Sequence, residues 1–529
     1  MRQFHSYGPV DSQEHFCIER NGLIEQCKAQ LIGKPEKGGH FFTIWAPRQT
    51  GKTWLMRQVK QQIETEYKDF FAVHSFSLGR LRGMKKDIPI DQSILPEGLS
   101  AILEDELPGK PSIKTWRDFY NLFLKGGLWN KPLILFIDEV DTTPPMLLDM
   151  LVNQFRELYL DRSNNSLHGL ALIGVRAVLG VESLRGSPFN IQRSLHVPNF
   201  TKEEVIDLYQ QYQTESGQPV QPEVVQTIYD VTRGQPGLVS WFGELLTEKY
   251  NLQKFKAIDM DVWDEVYEAA LHVEWNNTIL NLVKKVRADY VEHVLALFSM
   301  SDILFSLDAD WCAYLYLNGV IISETLLDSS GKRKTICRFA SSFIQLRLYN
   351  ALTYDLLPDR LPILAIEPLD RLSDVFDAPV LNLPALLNRY KAYLKRLKAK
   401  GLNPWKEQPR RADLHITEAV GHFHLYAWLR DAIEDRCVIS PEFPTGNGRV
   451  DLHIKCGNKK GIIEVKSFKS QSKMESSRKQ AADYAHQLGL DSVTIALFTP
   501  VEDEEILNQI SGELQIQGVK VMTVAIGWV

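Results

Sequence analysis

Apolar positions in this chain alternate between continuous runs and helical spacing, and the alternation itself predicts an α/β architecture. The run Phe41 to Trp45 reads as a buried strand, and it breaks into the small-residue loop A-P-R-Q-T-G-K-T before a helix over Trp54 to Thr65. A second strand alternates over Phe70 to Leu78, and Leu133 to Asp141, L-I-L-F-I-D-E-V-D, is a fully apolar strand ending in acids. A helix is predicted from Pro145 to Leu160, and a further strand from Leu170 to Val175. Strands alternating with helices imply a parallel sheet whose ligand sits at the carboxyl edge of the strands. Ahead of this core, Phe16 to Gly33 reads as a short strand and an amphipathic helix; Lys85 to Lys114, rich in Pro, Asp and Gly, reads as a long loop or short insertion.

The loop after the first strand carries the first chemistry. Pro47, Arg48, Gln49, Thr50 and Gly51 form a loop at a helix N-terminus in which every residue but the proline offers a backbone N–H, Lys52 supplies a charge for β- and γ-phosphates, and the Thr53 hydroxyl suits Mg²⁺. Ala46 stands where the phosphate-loop pattern has Gly, and a plain turn is the alternative. Asp138 and Glu139 supply the matching acidic pair, the Asp for the water shell of Mg²⁺ and the Glu to orient or deprotonate an attacking water. ATP and Mg²⁺ are therefore the expected cofactors.

Composition narrows the setting. A chain of 529 residues exceeds one core and suggests about three or four domains. With 44% hydrophobic and 24% charged residues it reads as an ordinary globular chain, and no apolar run reaches the length of a membrane span. The start, M-R-Q-F-H-S-Y-G, lacks a signal-peptide core, so a cytoplasmic location without membrane contact is expected. Cys17, Cys27, Cys312, Cys337, Cys437 and Cys456 are scattered, which predicts incidental or buried thiols and neither a zinc cluster nor a disulfide framework. A net charge of −6 places any nucleic-acid contact in local patches.

The middle of the chain turns helical over V-W-D-E-V-Y-E-A-A-L, I-L-N-L-V-K-K-V and Y-V-E-H-V-L-A-L-F-S-M. A helix, an N-G-V-I-I strand, a turn bearing Lys332, Arg333 and Lys334, and a second strand follow in winged-helix order. Such a module grips DNA or packs as a spacer. After a Pro-rich connector, Leu386 to Lys400 is an amphipathic basic helix without an acid, and Arg410 and Arg411 extend its charge; nucleic-acid contact is expected there.

The second chemistry lies near the C-terminus. Asp451, twelve intervening residues, then Glu464-x-Lys466 fit two strands of a hairpin that bring the acids together, with Glu464 and Lys466 on one face. Two carboxylates make a hard oxygen site for Mg²⁺ or Mn²⁺, and the ammonium positions or helps deprotonate water: the chemistry of phosphodiester hydrolysis. Glu418, on a preceding helix, is a candidate further acid, with Glu442 a competitor, and Gln480 and Tyr484 lie on a following helix. A hairpin with solvent-facing charges is the alternative, and His415, His422, His424 and His453 are read as satisfied or solvent-facing.

Two resemblances bear on these motifs. A-P-R-Q-T-G-K-T, L-F-I-D-E-V-D, Ser187-Pro188-Phe189-Asn190-Ile191 and V-P-N-F-T-K-E-E-V resemble the prokaryotic AAA-like ATPase domain family, related to STAND and origin-recognition ATPases, over roughly residues 14 to 250. That resemblance implies a helical lid over Thr201 to Tyr250, within which T-R-G-Q-P-G (232–237) looks like a nucleotide-touching turn; a helix C-cap is the alternative. It also implies homo-oligomers, in which Arg176, Arg185 or Arg193 would reach a neighbouring nucleotide. Residues 410 to 529 resemble the PD-(D/E)xK nuclease superfamily, with Glu418, Asp451, Glu464, Lys466 and Gln480 at its motif positions and Val450 where the literal motif has Pro.

The expected organisation is a multidomain α/β chain. Residues 1–255 form a P-loop parallel-sheet ATPase with its lid at about 200–255, 256–360 a winged-helix-like domain, 361–409 a connector and basic helix, and 410–529 a restriction-endonuclease-like α/β domain. The expected function is an ATPase gating a metal-dependent DNA nuclease, double-stranded DNA being the favoured partner, with an antiphage role by analogy and room for an unencoded activator. The alternatives are a STAND-like scaffold that binds but does not cut nucleic acid, and a mobile-element or recombination ATPase–nuclease.

Overall fold

The computed structural model describes residues 1–34, 38–83, 95–175, 193–299, 303–327, 333–356, 364–367, 370, 372–405, 416–433, 436–444, 449–468 and 470–528. These form two compact units, one of Met1–Leu282, Ser306–Ile322 and Phe339–Ile344, the other of Val283–Phe305, Ser323–Arg338 and Gln345–Val529.

The first unit is built on five strands, β1 (Phe41–Trp45), β2 (Ala72–Ser77), β3 (Leu133–Asp138), β4 (Leu167–Gly174) and β5 (Arg193–His196), in the order β2-β3-β4-β1-β5. All neighbours run parallel. Every position of β3 and β4 is buried, as expected of a parallel sheet covered on both faces. Alternate residues divide between two cores: Phe41, Leu135, Ile137 and Leu172 pack with Trp116 and Phe155, while Phe42, Ile44, Phe136 and Ile173 pack with Val59 and Ile63. The helix after the loop spans Lys52–Glu66, and the helix after the acidic strand spans Pro145–Leu160.

One expectation in this unit needs correction, and one of two alternatives is narrowed to a short insertion. Phe16 to Ile18 form no strand, and the stretch makes one bridge, between Gln3 and His15, before the helix Asn21–Ile32. Phe16 is held by rings instead of a ladder, lying 5.2 Å from Phe4 and 6.0 Å from Tyr212. Within 85–114, a helix runs Glu97–Glu106 because Leu99, Ile102 and Leu103 bury one helical face; 84–94 lie outside the described residues.

Helices Lys202–Ser216, Pro222–Thr232 and Pro236–Glu244 follow the sheet. The first starts at a capping box between Thr201 and Glu204 and stops at Gly217, whose φ of 71° few other residues adopt. Farther on, the helix Asp310–Leu317 leads into β6 (Ile321–Leu327) and β7 (Arg333–Phe339), a two-stranded sheet whose residues fall in both units; the turn with Lys332 lies outside the described residues.

The second unit carries a mixed sheet of β8 (Val438–Pro444), β9 (Arg449–Cys456), β10 (Lys459–Ser467), β11 (Ser492–Thr499), β12 (Gly512–Ile516) and β13 (Val519–Gly527), in the order β12-β13-β11-β10-β9-β8. β10, β11 and β13 run parallel, and β9 and β10 form an antiparallel hairpin turned at Gly457, φ 59°. Pairing of Val438 with Lys455 sets Cys437 opposite Cys456, and the two are joined as a disulfide. This corrects the expectation of thiols throughout; the pair is made by strand register, which spacing alone does not show. Cys17, Cys27, Cys312 and Cys337 form no disulfide. No helix among the described residues is long and apolar enough to cross a membrane.

Candidate nucleotide and acid–lysine sites

The loop after β1 turns on Gly51, whose φ of 86° opens the helix Lys52–Glu66. Its interior is self-satisfied: Thr50 Oγ1 donates to the Pro47 carbonyl at 2.9 Å, and Lys52 Nζ donates to the carbonyls of Ala46 and Pro47 at 2.9 and 2.6 Å. Burial pushes the Lys52 ammonium down to about 8, with Asp141 and Asp138 holding it up. A buried ammonium among carbonyls is poised for a polyanion, since charge neutralisation would offset its desolvation. Across the sheet, Thr53 Oγ1 donates to Asp138 Oδ2 at 2.7 Å. Asp138 is raised by burial, against its bonds from Thr53 and from the Glu139 N–H. Glu139 sits in the left-handed region, φ 56°, and accepts from Ser77 Oγ at 3.0 Å. The donors that would face Mg²⁺, a hydroxyl and a carboxylate, are hard oxygens and fit that ion.

Four other segments clasp this loop. Gln235, ahead of the helix Pro236–Glu244, donates from Nε2 to the carbonyls of Arg48 and Gln49 at 3.1 and 3.3 Å, and the Gly237 N–H donates to Gln49 O at 3.0 Å. The T-R-G-Q-P-G turn ends one helix, with Arg233 in the left-handed region, and its next residues touch the phosphate loop. Gln49 donates to Ser6 O at 3.1 Å and accepts from Thr278 Oγ1. Gly319, φ 79°, brings its turn so close to Pro47 that a Cβ there would lie 2.9 Å from the Pro47 Cβ. Sequence reasoning missed Ser6, Thr278, Gln235 and Gly319 as contacts of the loop; only the Pro-Gly after Gln235 signalled one. Of the three candidate arginines, Arg176 and Arg185 lie outside the described residues, and Arg193 Nη1 donates to Gln30 within the chain at 3.0 Å.

The hairpin of β9 and β10 assembles the second site. Register places Ile463 opposite Leu452, so Asp451 lies beside Glu464: its N–H donates to Glu464 Oε1 at 3.2 Å. Lys466 Nζ bridges them, 3.2 Å from Asp451 Oδ2 and 3.1 Å from Glu464 Oε2. The Val465 N–H also donates to Asp451 Oδ2, at 2.6 Å. Glu464 is 1% exposed, and burial followed by the Asp451 charge pushes its carboxyl up to about 8. Burial opposes the Lys466 charge, yet Asp451, Glu464 and Glu418 hold its ammonium well above the usual range. With both carboxyls ionised, a buried and a half-buried carboxylate against one ammonium would leave one negative charge uncompensated; the raised Glu464 carboxyl expresses that cost, which a divalent cation would offset. Among the described residues no three His, Cys, Asp or Glu side chains cluster as a ready metal cage, so a cation here would depend on Asp451, Glu464 and non-protein oxygens.

A cavity of about 230 Å³ opens beside Lys466, lined by Glu418, Ser470, Lys473, Ser477 and Gln480. The helices Glu418–Ile433 and Gln471–Gln487 bring Glu418 and Gln480 to it. Gln480 Nε2 donates to the Tyr484 hydroxyl at 2.7 Å. His422 is satisfied, as expected: Nε2 donates to the Asp451 carbonyl at 2.8 Å, and Nδ1 lies 3.3 Å from the Tyr349 hydroxyl. Its spacing of four from Glu418 puts it on the acid's helix face, the one sequence signal that ties it to this site. His424 is buried against Tyr390 and pushed down to about 3; burial pushes His453 down to about 4. His415 lies outside the described residues, as does the side chain of Glu442.

The basic helix, Leu383–Ala399, corrects its expected free charge. Arg389 pairs with Asp370 and Asp374, Lys391 and Lys395 with Glu504, Arg396 with Glu367, and Lys398 with Glu502. The partners come from segments outside the helix, which is why it reads as one-signed. Arg410 and Arg411 lie outside the described residues.

No curated protein matches the chain. Among solved structures it is similar to a Walker-type ATPase of Pyrococcus abyssi, at 14% identity over 65% of this chain and 99% of that one, TM-score 0.42. It is also similar to the Holliday junction branch migration motor RuvB of Thermotoga maritima, at 15% identity over 65% and 96%, TM-score 0.34. The ORC1 protein of Aeropyrum pernix, solved in complex with DNA, matches at 13% identity over 64% and 94%, TM-score 0.31. Residues 414–498 match a domain of unknown function. A family model described as an AAA-like domain matches residues 5–287, more than half the chain. With its phosphate loop, acidic strand and parallel sheet inside that span, the chain belongs to the AAA-like domain family.

Proposed function

We propose that this chain is an ATPase that gates a metal-dependent DNA nuclease. The observation that carries the nuclease half is the Lys466 ammonium held between the carboxylates of Asp451 and Glu464. In this reading Asp451 and Glu464 hold Mg²⁺ or Mn²⁺, and the metal supplies Lewis-acid activation of phosphate and water. Lys466 positions the attacking water, Glu418 adds negative charge at the cavity wall, and Gln480 with Tyr484 orients the strand. Residues 410–529 then act as the PD-(D/E)xK domain.

In the ATPase half, Lys52 would exchange the Ala46 and Pro47 carbonyls for β- and γ-phosphates, and the loop that starts at Pro47 would wrap them with the backbone N–H groups of Arg48, Gln49, Thr50 and Gly51. Thr53 and Asp138 hold Mg²⁺, while Glu139 orients water. Contacts of Gln49 with Thr278 and of Pro47 with Gly319 support the gating, because a loop rearranged by nucleotide must move against them. The module at 256–360 acts as a winged-helix-like DNA grip with Arg333 and Lys334, and the chain works as a homo-oligomer in prokaryotic defence.

The test of the nuclease half is supercoiled plasmid incubated with Mg²⁺ or Mn²⁺ and ATP, beside Glu464→Gln, which keeps the side-chain shape. Nicking by the wild type and none by the variant supports the reading. Equal nicking by both places the cutting elsewhere, and none by either favours the non-cutting scaffold.

A further inference from the structure

A second cavity, of about 380 Å³, lies in the same unit as the acid–lysine site and is used by none of the chemistry above. β10, β11 and β13 are parallel neighbours, so their carboxyl ends share one edge of the sheet. The first cavity opens at the end of β10, beside Lys466 and Ser467; the second opens at the end of β13, beside Ile526, Gly527 and Trp528. Backbone bonds tie the three ends together, Phe468 N–H to Phe498 O at 2.9 Å and Trp528 N–H to Thr499 O at 3.2 Å. Two strand spacings, roughly 10 Å, separate the cavities along that edge, about three stacked nucleotides at 3.4 Å each.

The lining has two chemical halves. Trp405 and Trp528, only 4% and 8% exposed, join Leu394 and Leu402 in a narrow aromatic and aliphatic wall. Trp405 is braced from behind by His424 and Phe498, at ring distances of 4.7 and 5.8 Å, so its position is fixed before any ligand arrives. Lys391, Lys395 and Lys398 form the other half, opposed by Glu502 and Glu504. The cavity therefore holds one more ammonium than carboxylate. Lys395 and Lys398 are 65% and 62% exposed, and ion pairs this exposed are worth about 0–1 kcal/mol. They exchange readily for a phosphate.

We propose that this pocket binds a nucleotide unit, the base against the indole wall and the phosphate on the lysines. Planar apolar surface beside surplus positive charge is the chemistry by which single-stranded nucleic acid is held without sequence readout. The occupant is a nucleotide of the strand being cut, a source that rests on the nuclease reading. A free nucleotide shares the same chemistry.

The test uses the full chain carrying Lys52→Ala, so that the phosphate loop does not report, in EDTA, so that nothing is cut. The probes are a fluorescein-labelled thymidine single strand of about ten nucleotides, followed by anisotropy, and dTMP, followed by calorimetry. Lys395→Glu with Lys398→Glu changes exposed charges without touching the core, and Trp405→Phe reduces the indole wall conservatively. The expected result is oligonucleotide binding weakened roughly tenfold or more by the charge reversals, and by Trp405→Phe to a smaller extent. Glu502→Gln with Glu504→Gln should tighten it. Binding of dTMP alone, with the same sensitivity, keeps the nucleotide pocket and overturns the strand as its source. Oligonucleotide binding indifferent to every variant, or no binding of either probe, overturns the proposal. Cutting is not the readout, so loss of the nuclease reading and loss of this pocket are distinguishable.

Discussion

The Thr53 hydroxyl donates to Asp138 at 2.7 Å, joining the phosphate loop to the end of the acidic strand across 85 residues. That bond and the Lys52 bonds to Ala46 and Pro47 are what a nucleotide with Mg²⁺ would replace. Lys52→Ala should therefore leave the fold intact and weaken ATP binding at least about 100-fold, the equivalent of roughly 3 kcal/mol for lost charge-assisted contacts. Calorimetry with ATP measures this; wild-type affinity in the variant would remove the loop from the site.

Gln235→Ala tests the turn at 232–237. It removes two bonds to loop carbonyls, each worth about 0.5–1.5 kcal/mol, and the cap on the Leu238 N–H, so thermal stability should fall by about 1–3 kcal/mol and ATP binding should weaken roughly tenfold. An unchanged dissociation constant would make Gln235 a helix cap only.

Much of this architecture is legible because it is local. The apolar run Leu133 to Ile137 and its terminal acids define a buried strand and its chemistry without knowledge of neighbours, and the β9–β10 hairpin follows from two strands with Gly457 between them. What is hidden depends on partners distant in sequence. Asp370 and Glu504 neutralise a helix that reads as basic, Cys437 meets Cys456 only through register, and Thr278 reaches Gln49 only in the folded chain. The strand expected at Phe16 fails for a related reason: its apolar residues find ring partners, Phe4 and Tyr212, in place of a ladder.

Glu464 gives a pH dependence with a definite sign. Its carboxyl is raised from 4.5 to about 8 by burial and by Asp451, with Lys466 and the Asp451 N–H opposing, and Tyr484 and His422 standing nearby. A carboxyl raised on folding contributes stability that is full below about 4.5 and is lost as pH climbs through about 8. Urea unfolding in EDTA should show stability falling between about pH 4.5 and 8 and levelling above that, with the slope reduced in Glu464→Gln and Mg²⁺ opposing the loss. A flat profile in the wild type would contradict this burial.

The disulfide is tested by mass. Alkylation without reductant should leave Cys437 and Cys456 unmodified, and Cys456→Ser should destabilise the sheet by up to about 3 kcal/mol, the chain-entropy value for a loop of about 20 residues. Labelling of both cysteines in the native, unreduced protein would show the pair open.

Whether nucleotide gates the nuclease is decided by plasmid cleavage compared between wild type and Lys52→Ala, each with and without ATP at fixed Mg²⁺. The wild type should cut only when ATP is present, and Lys52→Ala in neither condition. Equal cutting by both proteins, regardless of ATP, would mean that the phosphate loop does not control the Asp451–Glu464–Lys466 site.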